Sequence, residues 1–290
     1  MKIKEIPITS DAYPNRLRDI PNPPKTLYVL GNEKLLKSNG IAIIGSRAYS
    51  EYGRKYAIKF AKGLAEQGLT IISGMALGID TFAHEGALKV SGKTIAVLGC
   101  GFNNIFPEEN IGLMEEILQA DGAVVSEYMP NIKAASGRFI ERNRIVSGLS
   151  MGVLVIEAMF RSGTSTTAGM AREQGKTVFC LPRNLGDKNG VGTNRLIKEG
   201  AKLVTNSDDI LEYFQIPKIK VSNTIYKVKI PKEYENIYNA IAEQPTHIEV
   251  ICKKLQTSIS EINSALMLME IEGYIKSLPG NFVEKVQDVL

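Results

Sequence analysis

Seven short apolar runs, Ile41–Gly45, Thr70–Ser73, Thr94–Gly99, Ala123–Glu127, Val153–Ala158, Thr177–Leu181 and Lys202–Thr205, recur along the chain with helical patterns between them. Their hydrophobics are mostly continuous rather than alternating, the pattern of strands covered on both faces. The stretches between them are amphipathic. In the first, Ala57, Ile58, Ala61, Leu64 and Ala65 recur at helical spacing while Arg54, Lys55, Lys59 and Lys62 fall elsewhere. Repeated βα units with short Gly-containing turns predict an α/β fold over residues 39–216, a doubly wound, mostly parallel sheet with helices on both faces. Such a sheet takes its ligand beyond the carboxyl ends of the strands.

A chain of 290 residues with 44% hydrophobic and 23% charged residues can bury a large core, which excludes extended disorder and a small stapled scaffold. No apolar run approaches the roughly 20 residues that cross a bilayer, and MKIKEIPITS has no hydrophobic stretch behind its lysines, so a cytoplasmic protein without membrane contact is expected. Cys100, Cys180 and Cys252 have neither C-x-x-C spacing nor a nearby histidine partner, so they are expected in the core, with no metal and no disulfide. The net charge of +4 is uneven. Residues 1–224 carry 28 Lys/Arg against 22 Asp/Glu, and residues 225–290 carry 7 against 9. A polyanionic partner therefore belongs to the larger part.

Residues 1–38, rich in proline, read as an arm packed on the core. The stretch QIPKIKVSNTIYKVKIP, bracketed by prolines and without a long helical period, places a linker at 217–230. Residues 231–290 then show three helical patterns, roughly 232–243, 247–255 and 259–272, and a hairpin with Pro279-Gly280-Asn281 at its tip, the outline of a small winged helix. A helix that reads duplex DNA carries Lys or Arg. Ile259–Glu272 has none and has Glu261, Glu270 and Glu272 instead, which points to a protein-contact or structural role.

Four clusters fall where strands end. Gly45, Ser46 and Arg47 offer backbone N–H groups, a hydroxyl and a guanidinium to an oxyanion, without the G-x-G-x-x-G spacing of a dinucleotide site. Ser73–Asp80, with His84 four residues on, reads as a tight turn with Asp80 near a helix N-terminus. Lys133, Arg138, Phe139, Arg142, Asn143 and Arg144 suit a nucleic-acid strand: cations for phosphates, an amide for a base edge, a ring for stacking. Ser162, Gly163 and Thr164 open a hydroxyl-rich helix start, an anion cradle that is not a P-loop because no Gly-Lys-Ser/Thr ends the turn. Paired carboxylates, metal-ligand spacing and a Ser/His/Asp set are all missing. The clusters describe a site that holds rather than cuts, with no catalytic residue and no cofactor. The enzymatic alternative is a nucleotide-processing phosphoribohydrolase of related fold. Its Gly-Gly-x-Gly-Thr-x-x-Glu turn has a carboxylate where this chain has a hydroxyl, after Gly163-Thr164.

The segments IAIIGSRAYSEYG, SGMALGIDTFAHEGAL, GKTIAVLGCG with FPEEN, VVSE, FIERNRIVSGLS, VLVIEA, SGTSTTAGMA and GTNRLIKEGAKLVT, in this order, closely resemble the DprA/Smf family of DNA-processing proteins. The resemblance implies a Rossmann-like core that binds single-stranded DNA, homodimerises, and delivers the strand to the RecA recombinase during natural transformation. It places the family's Gly-Ser-Arg motif on Gly45, Ser46 and Arg47, and its Phe-x-x-Arg-Asn-Arg motif on Phe139, Arg142, Asn143 and Arg144. From these readings Arg47, Arg142 and Arg144 are expected to hold successive phosphates. Ser46 and the Ser162–Thr164 turn are expected to supply hydrogen bonds, and Phe139 to contact a base.

Overall fold

The computed structural model describes residues 2–160, 162–219, 230–242, 244–272 and 274–285, and divides the chain into two compact units, 1–219 and 220–290. Most of the linker expected at 217–230 lies outside the described residues.

In the larger unit, seven parallel strands correspond to the seven apolar runs: β3 (Gly40–Ile44), β4 (Thr70–Ser73), β5 (Thr94–Leu98), β6 (Ala123–Ser126), β7 (Gly152–Val155), β8 (Thr177–Cys180) and β9 (Lys202–Leu203). Their order across the sheet is β6-β5-β4-β3-β7-β8-β9, so the chain winds outward from β3 in one direction and then in the other. Ile41 pairs with Gly152 and Ile44 with Val155 where the two halves meet. At this switch of direction the connections leave β3 and β7 on opposite faces, and a crevice opens above their carboxyl ends.

The continuous apolar runs follow from the layering. On β3, Ala42 and Ile44 face one core, shared with Ile145, Val146 and Leu149 of α5 (Ser136–Leu149) and with Ala168 and Ala171 of α6 (Gly163–Glu173). Ile41 and Ile43 face the other, shared with Ala57, Phe60 and Leu64 of α2 (Glu51–Glu66), with Phe82 and Ala83 of α3 (Ile79–Leu88), and with Ile210 and Leu211 of α8 (Ser207–Tyr213). With helices on both sides, a strand has no solvent face on which to place polar residues. The unit also contains α4 (Ile111–Gln119) and α7 (Val191–Lys198).

The proline-rich segment differs from its expectation as an arm laid on the core. It supplies β1 (Lys4–Pro7) and β2 (Thr26–Gly31), which extend the sheet past β6 with antiparallel pairing, Leu30 opposite Val124 and Ile6 opposite Leu27. Between them α1 (Asn15–Arg18) carries Leu17 into the core beside Gly148, where a methyl group on the glycine would lie 2.6 Å from the leucine. Neither strand is buried along its whole length, so the segment gives no continuous apolar run.

The smaller unit has its own core, with Tyr234, Ile251, Ile262, Leu266, Met269 and Val283 buried. It contains α9 (Lys232–Ala240), β10 (Thr246–His247), α10 (Ile248–Leu255), α11 (Ile259–Ile271), β11 (Ile275–Leu278) and β12 (Phe282–Lys285), with β12 between β10 and β11. This is the three-helix and hairpin layout of a winged helix, with one short strand the sequence pattern does not reveal. Helix α11 begins with a capping box in which Ser258 accepts from Glu261 N–H, and it exposes Asn263, Ser264, Met267 and Leu268.

Two measurements test these arrangements. Leu17→Ala should destabilise the larger unit by about 2–5 kcal/mol in denaturant titration, the cost of a cavity in a shared core, whereas loss of a peripheral arm contact would leave the midpoint nearly unchanged. A 225–290 fragment should bind duplex DNA no more tightly than roughly 10 µM in moderate salt, because α11 presents no cation to phosphates.

Candidate nucleic-acid interface

The crevice between the halves is a groove of about 470 Å3. Gly45, Ser46, Arg47 and Ala48 line it from the turn after β3, Arg142 and Asn143 from α5, and Ser162, Gly163, Thr164 and Thr167 from the start of α6. Eight of the twelve residues expected from the sequence therefore meet here. Lys133, Arg138, Phe139 and Arg144 do not line it.

The turn after β3 is shaped by its neighbours. Gly45 is pressed on Ile79, where a Cβ would lie 2.6 Å from the isoleucine side chain, so the backbone runs close to α3. Ser46 is buried and donates its hydroxyl to Ala48 O at 3.0 Å. That uses its one hydrogen, and the expected hydrogen bond from Ser46 Oγ to a ligand is not available in this geometry. The turn instead offers the N–H groups of Arg47 and Ala48, which have no acceptor among the described residues. Arg47 is exposed, and among the described residues no carboxylate pairs with it. At the other wall, Ser162 caps α6 by accepting from Ser165 N–H at 3.4 Å. The N–H groups of Gly163 and Thr164 are left at the helix end, where unpaired donors and the helix dipole favour an anion.

Arg142 is 3% exposed. Its guanidinium donates to the carbonyls of Gly74 and Val97, at the ends of β4 and β5, and Nε donates to Asn143 Oδ1 at 3.2 Å. Burial lowers its pKa to about 10, so it stays charged at neutral pH. Asp80 lies across Gly74 from it and accepts from the N–H groups of Gly74 at 3.1 Å and Ala76 at 3.4 Å. Burial pushes the Asp80 carboxyl up, while Arg142 and these N–H donors oppose the rise. Gly74 has to be glycine, since a Cβ would stand 2.6 Å from both the guanidinium and the carboxylate. Arg142 thus builds the floor of the groove instead of reaching out of it.

Arg144 is also committed. It makes two parallel bonds to Glu127, 2.6 and 2.7 Å long, and donates to Asn22 O and Glu141 O at 2.9 and 2.8 Å. The charge-assisted bonds to Glu127 raise its pKa further. It lines a different depression, with Pro23, Pro24 and Glu127, and fastens the N-terminal segment to α5. Of the three arginines expected to form a clamp, only Arg47 is exposed at the groove, with Arg142 buried in its lining and Arg144 in a different depression. The helical period explains the divergence: adjacent positions on α5 are about 100° apart, so residues 142 and 144 cannot present one face. Arg138 donates to Lys133 O and lies over the Tyr128 ring at 5.4 Å, before the groove. Phe139, half-buried, sits 5.7 Å from the Arg47 guanidinium.

Sequence reasoning passed over a second buried acid. Glu157, fully buried just past β7, accepts from Ser50 N–H at 3.1 Å and from the Ser50 hydroxyl, and pairs with Arg183 at 2.5 Å. Arg183 in turn binds Asp187 and packs 4.2 Å from the Tyr52 ring centroid. A Cβ on Gly53 would come within 2.4 Å of the Glu157 carboxylate, so this glycine lets α2 start against it. The one available signal was an acid ending an otherwise apolar strand, in VLVIEA.

A family model for DNA recombination-mediator protein A matches residues 4–215, and one for the DprA winged helix domain matches 230–281. The chain belongs to the DprA family. It is 38% identical to Protein Smf of Escherichia coli over 96% of this chain and 76% of that one. It is 43% identical to the DNA processing protein DprA of Streptococcus pneumoniae over 74% of this chain and 75% of the relative. The solved S. pneumoniae DprA structure superposes with a TM-score of 0.70, covering 73% of this chain and 74% of that one. The Helicobacter pylori DprA structure, described for its single-stranded DNA binding mode, gives 0.67 at 33% identity, covering 74% and 96%. Among the described residues, no helix is long and apolar enough to cross a membrane, and no group of His, Cys, Asp and Glu could hold a metal ion.

The His84 ring, which the sequence places near Asp80, belongs to the core of the larger unit and does not line the groove. It is buried, with Nδ1 2.7 Å from Thr94 Oγ1, and burial lowers its pKa to about 3. Because the folded-state pKa lies below the unfolded value, protonation favours the unfolded chain between these values, and stability falls as pH drops from about 6.5 toward 3. The contribution to the slope is up to about 1.4 kcal/mol per pH unit. Chemical denaturation across this range should show a shallower loss for His84→Gln than for the unsubstituted protein; equal slopes would mean that His84 does not titrate this way.

Proposed function

We propose that the protein binds single-stranded DNA in the groove between β3 and β7, protects incoming strands, and as a cytoplasmic homodimer loads RecA onto them in transformation and recombination. The single observation that carries the binding step is the meeting of Arg47, the Arg47 and Ala48 N–H groups and the first turn of α6 on two facing walls. These are phosphate-seeking donors of the kind that position a backbone without reading its sequence. Asn143 adds an amide beside them, and Arg142 adds fixed positive charge below. The DprA family and the single-stranded DNA binding of the H. pylori relative support the same reading. The RecA and dimer steps rest on the family resemblance.

Holding is favoured over hydrolysis by the state of the acid in the groove. Among the described lining residues the only carboxylate is Asp80, and it is engaged by two backbone N–H groups beside a buried guanidinium. Such a group is poorly placed to activate water.

The arginines separate the outcomes. Log affinity for an oligothymidylate should fall with log salt at about −0.7 per phosphate contacted. Arg47→Ala should weaken binding and make the slope shallower by about 0.7, whereas Arg144→Ala should leave the slope unchanged because Glu127 already neutralises it. Equal slopes for Arg47→Ala and the unsubstituted protein would remove Arg47 from the interface, and no binding by the unsubstituted protein would remove the proposal.

A further inference from the structure

Beside the groove an aromatic row continues from the exposed Arg47 side chain. The Arg47 guanidinium lies 5.7 Å from the centroid of the Phe139 ring, and Phe139 lies 5.5 Å from Phe106 at an interplanar angle of 40°. The inner ring is fixed. Phe139 is half-buried against β5, and Gly99 is what admits it: a Cβ there would approach its Cδ1 to 2.7 Å. Phe106, in the loop after β5, is 48% exposed. The ring expected to meet a base is therefore already occupied by neighbours, while the ring with free surface is the next one out. A large aromatic left open beside a cationic, hydroxyl-lined groove has the composition of a single-strand site, in which cations track the backbone and rings receive bases.

We propose that Phe106 is a stacking platform for a nucleobase of the strand whose phosphate lies between Arg47 and the start of α6. This deepens the single-strand reading above and rests on it. Phe139 acts here as a positioning residue, holding Phe106 from below and the Arg47 guanidinium beside it. Stacking uses the π-face that every base possesses, so the subsite is tolerant of sequence and adds affinity without adding a phosphate contact.

The test uses the full chain and an oligothymidylate carrying one 2-aminopurine, with binding followed over a salt series for the unsubstituted protein, Phe106→Ala, Phe106→Leu and Phe106→Tyr. Stacking predicts quenching of the 2-aminopurine by the unsubstituted protein and Phe106→Tyr. It predicts binding about 5- to 100-fold weaker for Phe106→Ala, the range that removal of one stacking ring produces, with the salt slope unchanged. Phe106→Leu, which keeps apolar bulk against Phe139 but has no aromatic face, should remain weakened. Tight binding by the unsubstituted protein with no loss in Phe106→Ala overturns the platform and leaves the single-strand reading standing. So does full recovery in Phe106→Leu, which would reduce Phe106 to a packing residue. Failure of the unsubstituted protein to bind the oligonucleotide overturns the single-strand reading itself.

Discussion

A guanidinium carried into the protein interior decides the shape of the groove. Arg142 bonds to the carbonyls where β4 and β5 end, faces Asp80 across Gly74, and steadies Asn143 beside it. A buried charge is costly unless its donors are satisfied, and here the hydrogen bonds of Arg142 draw the ends of β4 and β5 to α5. The strand ends are held at one level, α5 is fixed above them, and the turn at Gly74–Ala76 is tied to Asp80. This floor lies beneath the surface donors at Arg47 and the start of α6. Arg142 and Asp80 act on each other through the field in this buried cluster, each favouring the charged form of the other.

The electrostatics divide accordingly. The arginines of the Phe-x-x-Arg-Asn-Arg segment fasten the larger unit internally, Arg142 to strand ends and Arg144 to Glu127 and the Asn22 carbonyl. Among the described residues, the exposed Arg47 guanidinium and backbone N–H groups are left facing the groove. The backbone donors cost little reorganisation when an anion arrives, since the helix and the turn already hold them in place.

Most of the sheet was legible because strands covered on both faces must be apolar throughout, and all seven runs from Ile41 to Thr205 correspond to parallel strands. The antiparallel strands β1 and β2 were not legible. β2 alternates buried and half-buried residues and pairs antiparallel, so its pattern is short and mixed, and the surrounding prolines read as an arm. The winged-helix outline followed from helical spacing and the Pro279-Gly280-Asn281 turn, while the two-residue β10 was too short to leave a pattern. At the site, sequence located the strand ends but not the directions of the side chains. Arg142 and Arg144 are alike in type and two positions apart, and only their three-dimensional partners distinguish a floor from a fastening. Glu157 was hidden for a related reason: a buried acid is recognisable only once Ser50 and Arg183 are seen to converge on it.

That convergence has a mechanical meaning. Glu157 follows the first strand of the second half-sheet, Ser50 follows the first strand of the first half-sheet, and their bond spans the joint between the two. The donors facing the groove are divided in the same way, Arg47 on one side and Gly163 and Thr164 on the other. An anion gripped by both walls would therefore act as a second rivet over the joint, outside, where Glu157 is the first, inside. Occupancy would be coupled to the cohesion of the two half-sheets, so that the loaded protein resists shearing along its own midline better than the empty one.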